Sequence, residues 1–254
     1  MRLVAAIVVV AALVADFDYV QGFTSFAAEN WFSYFTTQSG MAGVVVLAAS
    51  GAHALLGRVE PPLMAAVRAV VLSYVVVSGV VFGLIVLESS SQAYYVEVPW
   101  SSRVLHFVIP AYALLDWTLA PGRPRVTWKA VGWAMLFPVA WCAFTEVRGP
   151  RVGWYPYFFL DPAQVGVPFE IAAWLALVAG VFAGVSTLVV ALSRVRPADA
   201  GTRKRTPHSD APRGTAPSQP APSDAEDESV AETAGTPAPR RARGSAGDRE
   251  AVRR

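Results

Sequence analysis

The chain has little of what soluble proteins place at their surface. Of its 254 residues, only 16% are charged and 54% are hydrophobic. Lysine is almost missing, with two residues against nineteen arginines. The one cysteine, Cys142, excludes an intramolecular disulfide and any metal site built from several cysteines. No internal repeat is visible, so the inverted repeats of many transporters are not indicated. This composition excludes a soluble domain of this size.

The hydrophobic residues lie in blocks of about 18–26 residues, long enough to cross a hydrocarbon core of about 30 Å as α-helices. The sequence therefore predicts an all-α, polytopic membrane protein with a six-transmembrane-helix bundle in residues 1–196. The first block is also compatible with a signal peptide, because it combines one arginine with a short apolar run. The predicted helices are residues 3–20, 31–56, 62–87, 101–120, 126–147 and 167–195.

Basic residues are distributed unequally between the two ends of these helices. Two loops, Asp16–Asn30 and Glu88–Trp100, contain no lysine or arginine. The positive-inside rule places the more basic side in the cytoplasm, and both termini with it, in a multi-pass protein of the cell membrane. Eight basic residues (Arg2, Arg58, Arg68, Arg123, Arg125, Lys129, Arg194, Arg196) lie on that side, against three on the other (Arg103, Arg148, Arg151).

Residues 197–254 differ from the rest of the chain. They are rich in proline, alanine, serine, threonine and glycine, with two valines as their only large apolar residues. Such a segment cannot bury enough surface to offset the entropy of ordering, so we expect a disordered cytoplasmic tail. Its basic cluster, residues 240–243, is either part of a solvated tail or a site for anionic lipid.

A polar stretch, residues 31–40, stands at the start of the second helix. It contains Ser33, Thr36, Thr37, Ser39 and the amide of Gln38, where an apolar helix should begin. Thr36 and His106 each lie about five residues from the outer ends of their helices, and therefore at a similar depth of about 7–8 Å. A neutral imidazole can accept the proton of a hydroxyl that attacks a carbonyl. Two structural alternatives remain. Thr36 can bond to its own backbone, as membrane threonines commonly do, and His106 can form a purely structural hydrogen bond between helices.

Three segments resemble a known family. They are residues 32–39 (FSYFTTQS), residues 106–110 (HFVIP) with Asp116-Trp117, and residues 154–162 (WYPYFFLDP). This pattern resembles the Pr6Pr group of bacterial membrane proteins, which is similar to the androgen-induced, FAR-type six-helix proteins of animals. That resemblance implies a membrane-embedded hydrolase of fatty acid esters with a threonine nucleophile and a histidine. The family motifs match Thr36 and His106, whereas Gly40 stands where the bacterial group has asparagine.

Several further residues are candidates for supporting the reaction or binding substrate. Ser33, Thr37 or Gln38 could donate a hydrogen bond to an oxyanion. Arg103 could bind a substrate carboxylate or extend to the lipid headgroups. Glu146 could orient the imidazole, pair with Arg148 or be solvated. Tyr157 and Asp161, from the third segment of the resemblance, complete the set.

The outer segment from Arg148 to Pro168 combines prolines with aromatic residues. Pro150, Pro156, Pro162 and Pro168 should prevent a continuous helix. We expect the aromatic side chains either to anchor the segment in the membrane interface or to form a lid over Thr36 and His106.

Asp116 lies ten residues beyond His106 and about 15 Å deeper along a helix, so it cannot orient that imidazole. We expect Arg123 or Arg125 to neutralise it near the cytoplasmic end.

The leading hypothesis is a hydrolase of lipid esters. The alternatives are a non-enzymatic lipid- or small-molecule-binding membrane protein or permease, and a structural subunit that docks through its tail. We expect membrane lipids as partners, no nucleic acid, and neither cofactor nor metal. Substrate identity and oligomeric state do not follow from the sequence.

Overall fold

The computed structural model describes residues 1–24, 26–91, 97–165 and 168–195. Within these ranges the regular secondary structure is helical, without β-strands. The predicted tail at residues 197–254 falls outside them, so its disorder and its affinity for lipid stay predictions. Residues 166–167, at the predicted start of the last helix, also fall outside them.

The helices of the described residues follow the predicted apolar blocks. Five of them, α1, α3, α4, α7 and α8 below, are long and apolar enough to cross a membrane. A π-helical turn, Val104–Val108, joins α5 to α6, so Trp100–Leu119 is helical without interruption, and a 3-10 turn, Phe158–Leu160, precedes α8. The α-helices are α1 (Arg2–Gln21), α2 (Ala28–Ser33), α3 (Phe35–Leu55), α4 (Pro62–Ser91), α5 (Trp100–Arg103), α6 (Ile109–Leu119), α7 (Lys129–Val152) and α8 (Pro168–Leu192).

Helix α4 lies at the centre of the helix packing. It contacts α3, α6, α7, α8 and the π-helical turn, and it is the most buried of the five long helices. Val77 and the small residues Ala65 and Ala69 are almost fully buried along it. The site described below is built around its middle, at Ser78 and Gly79.

Large apolar side chains cover the outward faces of the peripheral helices. Apolar side chains that face lipid tails need no protein partner. A helix that faced water would carry polar residues at these positions. This distribution fits helices that face a bilayer. Examples with half or more of their surface exposed are Val4, Ile7, Val14, Trp133, Leu136, Val139, Phe144, Leu177 and Leu188.

The predicted second helix is wrong in its first turn. Residues 31–56 do not form one helix, because Tyr34 is extended (φ −64°, ψ 135°) between α2 and α3. The carbonyls at this break accept hydrogen bonds from side chains: the Gln38 amide donates to the Phe32 carbonyl at 3.0 Å, and the Trp141 indole donates to the Ser33 carbonyl at 2.9 Å. Side chains therefore replace the backbone bonds that a continuous helix would make.

Two other sequence expectations differ from the structure. The predicted fifth helix, residues 126–147, is displaced, because α7 begins at Lys129 and continues to Val152 with Pro150 in its last turn. The outer segment that follows is still not one continuous helix. The chain turns at Gly153 (φ 64°), in the left-handed region that favours glycine. Asp116 is not neutralised by Arg123 or Arg125: Arg2 binds it at 2.9 Å, and Arg68 lies 3.5 Å from it.

Candidate active site

Thr36 and His106 form a hydrogen bond between α3 and the π-helical turn. The Thr36 hydroxyl oxygen lies 3.2 Å from His106 Nε2, and His106 Nδ1 lies 2.8 Å from the Ser102 carbonyl oxygen. The imidazole is 8% exposed. Both ring nitrogens therefore have a protein partner, and the ring orientation is held from both sides.

The partners of His106 determine where its proton lies. A carbonyl oxygen can only accept a hydrogen bond, so Nδ1 of the neutral ring carries the hydrogen and donates it to Ser102. Nε2 then has a free lone pair, and the Thr36 hydroxyl donates to it. The result is a hydroxyl whose proton points at a base, which is the arrangement that activation of a hydroxyl nucleophile requires.

Ser78 adds a second hydroxyl to the pair. Its oxygen lies 2.8 Å from the Thr36 oxygen. Because the Thr36 hydrogen is directed at His106, Ser78 donates to Thr36. A hydrogen-bond chain thus runs from Ser78 through Thr36 and His106 to the Ser102 carbonyl, with α4, α3 and the π-helical turn each contributing.

Asp16 of α1 supports the far end of this chain. Its carboxylate accepts hydrogen bonds from the Ser102 hydroxyl at 3.1 Å and from the Trp31 indole at 3.0 Å. Ser102 therefore links a carboxylate, through its hydroxyl, to the imidazole, through its carbonyl. A negative charge at this position favours an imidazolium at His106 during proton transfer.

The position of His106 depends on a close approach between α4 and the π-helical turn. A π-helical turn replaces the usual i→i−4 backbone bonds by i→i−5 bonds, and such turns are frequent at functional sites. A Cβ atom on Gly79 would lie 2.3 Å from the His106 carbonyl oxygen, so only glycine fits there. One turn further along α4, the Phe82 ring stacks on the imidazole with centroids 3.8 Å apart.

The break at Tyr34 exposes backbone donors beside Thr36. The first N–H groups of a helix have no intrahelical acceptor, and in α3 these belong to Phe35, Thr36 and Thr37. The Tyr157 hydroxyl lies close enough to the Thr36 hydroxyl and to the backbone of Phe35 and Thr36 for these groups to act on its pKa. Burial raises the pKa of Tyr157 to about 12, although the contacts with Thr36 and Phe35 oppose this shift. The phenol therefore remains protonated at neutral pH.

The segment after α7 folds back among the helices. Phe159 and Leu160 are buried, the Tyr157 ring packs edge-on to Trp141 and to Tyr34, and the Phe159 ring stacks on Trp174. The sequence predicts that this segment either anchors in the membrane interface or covers Thr36 and His106. Its contacts place it against α3, α7 and α8, beside Thr36.

A large apolar cavity of about 410 Å³ lies next to the hydrogen-bond chain. Ser78, Tyr157 and Phe35 line it on the side of the site, and residues of α7 and α8 such as Trp141 and Phe182 form much of the remaining wall. Its volume is within the range of small-molecule sites. Thr36 lines a separate void of about 10 Å³, which also contacts Ser78. Ser78 thus stands between the large cavity and the Thr36 hydroxyl.

The polar candidates near Thr36 have their own local partners. The Ser33 hydroxyl donates to the Glu29 carbonyl at 2.6 Å in α2, not toward Thr36. Gln38 donates to Phe32 at the helix break, and Thr37 is buried at 3% exposure. None of the three provides a side-chain contact to the Thr36 hydroxyl among the hydrogen bonds of the described residues.

The charged candidates lie further out. Arg103 is exposed and donates to the Val98 carbonyl at 3.0 Å. Glu146 lines the large cavity with one buried carboxylate oxygen and does not contact the imidazole, while Arg148 donates to Asn30 at 2.7 Å. Asp161 stabilises its own turn by accepting from the Ala163 N–H at 2.9 Å.

No group of three His, Cys, Asp or Glu side chains in the part of the chain that the structure describes is arranged to hold a metal ion.

Sequence reasoning missed five contributors to the site: Asp16, Ser78, Gly79, Phe82 and Ser102. A signal existed for two of them, since Ser78-Gly79 interrupts a valine-rich run and small polar residues mark close helix contacts in membranes. Asp16 was visible only as an acidic residue at the outer end of α1. Nothing in the sequence marks Phe82.

No protein-family model, no curated protein and no solved structure matches the chain.

Proposed function

We propose that the protein is a six-helix, multi-pass protein of the cell membrane that hydrolyses lipid esters, with Thr36 as nucleophile and His106 as general base and acid. The 3.2 Å contact between the Thr36 hydroxyl and His106 Nε2 carries this proposal. Trp100–Leu119 completes the six spans as the fourth in chain order, and its π-helical turn positions His106. Both termini lie in the cytoplasm. The Pr6Pr resemblance of the three motifs favours the same activity.

The reaction proceeds in two stages. As the Thr36 oxygen attacks the ester carbonyl, its proton moves to His106 Nε2, and Nδ1 keeps its bond to Ser102. The bond from carbonyl carbon to alkoxy oxygen then breaks, His106 protonates the departing alkoxide, and an acyl-threonine remains. Water attacks that acyl group while His106 again accepts a proton, which it returns to Thr36 as the fatty acid leaves.

Two sets of donors stand where charge develops on the carbonyl oxygen. Ser78 and Tyr157 bring hydroxyl groups beside the Thr36 oxygen, and the first turn of α3 brings backbone N–H groups. Donors held in place before the reaction stabilise an oxyanion without a reorganisation cost. The apolar cavity beside Ser78 suits the hydrocarbon part of the substrate.

The test uses full-length protein in neutral detergent and esters of long-chain fatty acids. Thr36→Ala and His106→Ala should each lower kcat/KM by at least about 10²-fold, because each removes one side of the proton transfer. Thr37→Ala is the matched control, since it removes a buried hydroxyl from the next position of the same helix. A fluorophosphonate should label Thr36 and fail to label Thr36→Ala. Wild-type activity in either site variant would refute the assignment.

A second function is favoured by the cavity itself: a membrane protein that binds a lipid or apolar small molecule without turning it over. This alternative predicts that an apolar ligand binds wild type and Thr36→Ala equally, because Thr36 does not line the large cavity. It also predicts no ester hydrolysis and no fluorophosphonate labelling at Thr36.

A further inference from the structure

Buried polar atoms without a hydrogen-bond partner concentrate far from the Thr36 site. Among the described residues, seven buried side-chain atoms lack such a partner, and five of them belong to four residues of one cluster. The four are Arg123, which contributes two atoms, Arg68, Tyr112 and Glu60. We call this group, together with Arg2, Asp116 and Trp117, the arginine cluster. It lies where α1 and α4 begin and α6 ends, on the basic side of the chain.

The arginine cluster contains one positive charge more than its carboxylates can balance. Arg2 pairs with Asp116, and Arg68 pairs with Glu60 while approaching Asp116. Arg123 has no carboxylate partner among the ion pairs of the described residues. Three guanidinium groups therefore share two carboxylates.

Arg123 is nevertheless fixed and buried. It is 2% exposed, its Nη2 donates to the Leu192 carbonyl at 2.9 Å, and its guanidinium carbon lies 4.6 Å from the centre of the Trp117 ring. Arg68 lies 4.8 Å from the centre of the same ring. Trp117 is itself fully buried and donates to the Val189 carbonyl at 2.9 Å. Both guanidinium groups thus pack against the same buried indole ring.

The remaining donors of Arg123, Nε and Nη1, point at no acceptor of the protein. A buried charge is costly unless it is paired and hydrogen-bonded. Burial, and after it the charge of Arg68, lowers the pKa of Arg123, as expected where a cation is poorly compensated. Guanidinium N–H groups are charge-assisted donors that suit the oxygen atoms of a phosphate group. Nε and Nη1 of Arg123 lie on different edges of the guanidinium plane, so each is available to a separate oxygen acceptor.

We propose that the arginine cluster binds a phosphate group, either inorganic phosphate or the phosphate of an anionic lipid headgroup, through the free N–H donors of Arg123. Arg68 contributes a second positive charge, and its Nη2 lies 3.5 Å from the Asp116 carboxylate without a hydrogen-bond partner. The position at one end of the helices is the depth at which headgroups lie, and basic pockets between membrane helices bind such groups. This inference is independent of the ester hydrolase.

The experiment measures the thermal unfolding of the full-length protein in neutral detergent. Inorganic phosphate, short-chain phosphatidic acid and short-chain phosphatidylcholine are titrated separately, with chloride as the ionic-strength control. A ligand that binds only the folded state raises Tm with its concentration. Wild type should be stabilised by phosphate or by phosphatidic acid, and Arg123→Gln should need at least tenfold more of that ligand for the same shift.

The matched control is Arg194→Gln. Arg194 also lies on the basic side over an indole ring, that of Trp128, but its donors are occupied by the Val190 and Val126 carbonyls. It should respond to the ligand like wild type. Stabilisation by inorganic phosphate identifies a site for the free ion, and stabilisation by phosphatidic acid alone identifies a lipid site.

Glu60→Gln provides a test in the opposite direction. It removes a negative charge near Arg123 and frees Arg68, so the ligand that stabilises wild type should bind at least about threefold more tightly. This variant keeps the test decisive if Arg123→Gln does not fold. The proposal is overturned if no ligand raises the Tm of wild type. It also fails if Arg194→Gln loses the response as fully as Arg123→Gln, or if Glu60→Gln weakens binding.

Discussion

The Thr36 hydroxyl lies 3.2 Å from His106 Nε2, although 70 positions separate the two residues in the chain. The Ser102 carbonyl determines which nitrogen is free, because it accepts the hydrogen of Nδ1. A backbone carbonyl thus does for this imidazole what a carboxylate does in many hydrolases: it holds the ring and selects the tautomer. The carboxylate of Asp16 stands one residue further away, behind the Ser102 hydroxyl.

Gly79 controls the distance between α4 and His106, so we expect Gly79→Ala to disrupt the site. The added Cβ would lie 2.3 Å from the His106 carbonyl, and a backbone atom inside a helix cannot move aside cheaply. We expect a loss of about 1–3 kcal/mol in the free energy of unfolding and a fall of more than tenfold in ester hydrolysis. Thermal unfolding and the esterase assay measure the two effects.

The control for Gly79→Ala is Gly83→Ala, one turn away on the same helix. A Cβ there would meet only the Phe107 ring edge at 3.8 Å, an ordinary contact. This variant should keep wild-type activity and stability. If both glycine variants behaved like wild type, the close approach of α4 would have no part in positioning His106.

Tyr157→Phe tests the hydroxyl that contacts Thr36. The first turn of α3 would lose a polar neighbour, and the reacting carbonyl would lose a donor. We expect unfolding to become easier by about 1–2 kcal/mol and kcat to fall about tenfold or more. Tyr155→Phe is the control, because its ring packs on Gly149 outside the site.

The effect of Tyr157→Phe on kcat should not depend on pH. The pKa of Tyr157 is raised to about 12, so the phenol carries its proton at every pH well below that value. The ratio of wild-type to variant kcat should therefore be the same at pH 6 and at pH 9. A ratio that changed across this range would show that the phenol ionises during the reaction.

Asp16→Asn tests the carboxylate behind Ser102. The substitution keeps the size of the side chain but removes the charge that favours an imidazolium at His106 in the transition state. We expect kcat to fall about tenfold, less than the loss of a general base itself, because the charge acts on His106 only through Ser102, while KM stays close to that of wild type. Asp18→Asn, an exposed carboxylate on the same helix, should have no effect. Equal activity of wild type and Asp16→Asn would assign Asp16 a structural role only.

The sequence paired Thr36 with His106 because both lie at a similar depth in the membrane, and depth can be calculated by counting residues from the end of a helix. Thr36 and His106 stand at similar distances from the outer ends of their apolar segments, and helix rise converts those distances into a common height. Their lateral contact is not contained in that argument. It depends on the rotation of α3 and of the π-helical turn about their axes, which packing against α4 decides.

The errors of the sequence reasoning have the same origin. Ser33 was a candidate oxyanion donor because residues three apart share a face of a continuous helix. The break at Tyr34 ends that helix, and the Ser33 hydroxyl donates to Glu29 instead. That break is stabilised by Trp141 from α7, more than a hundred residues away. Ser78 was overlooked because a serine in an apolar helix becomes informative only when its neighbours in space are known.

The sequence alone determined the helical class and most helix positions, through its hydrophobic blocks of membrane-spanning length. In a bilayer, each segment must bury its apolar side chains and hydrogen-bond its own backbone, and both requirements are local. Tertiary structure alone decided which polar groups meet. Glycine at position 79 lets α4 approach His106, the π-helical turn presents the imidazole, and the break at Tyr34 frees the N–H groups beside Thr36. Each of these depends on a contact between distant segments, which no local pattern specifies.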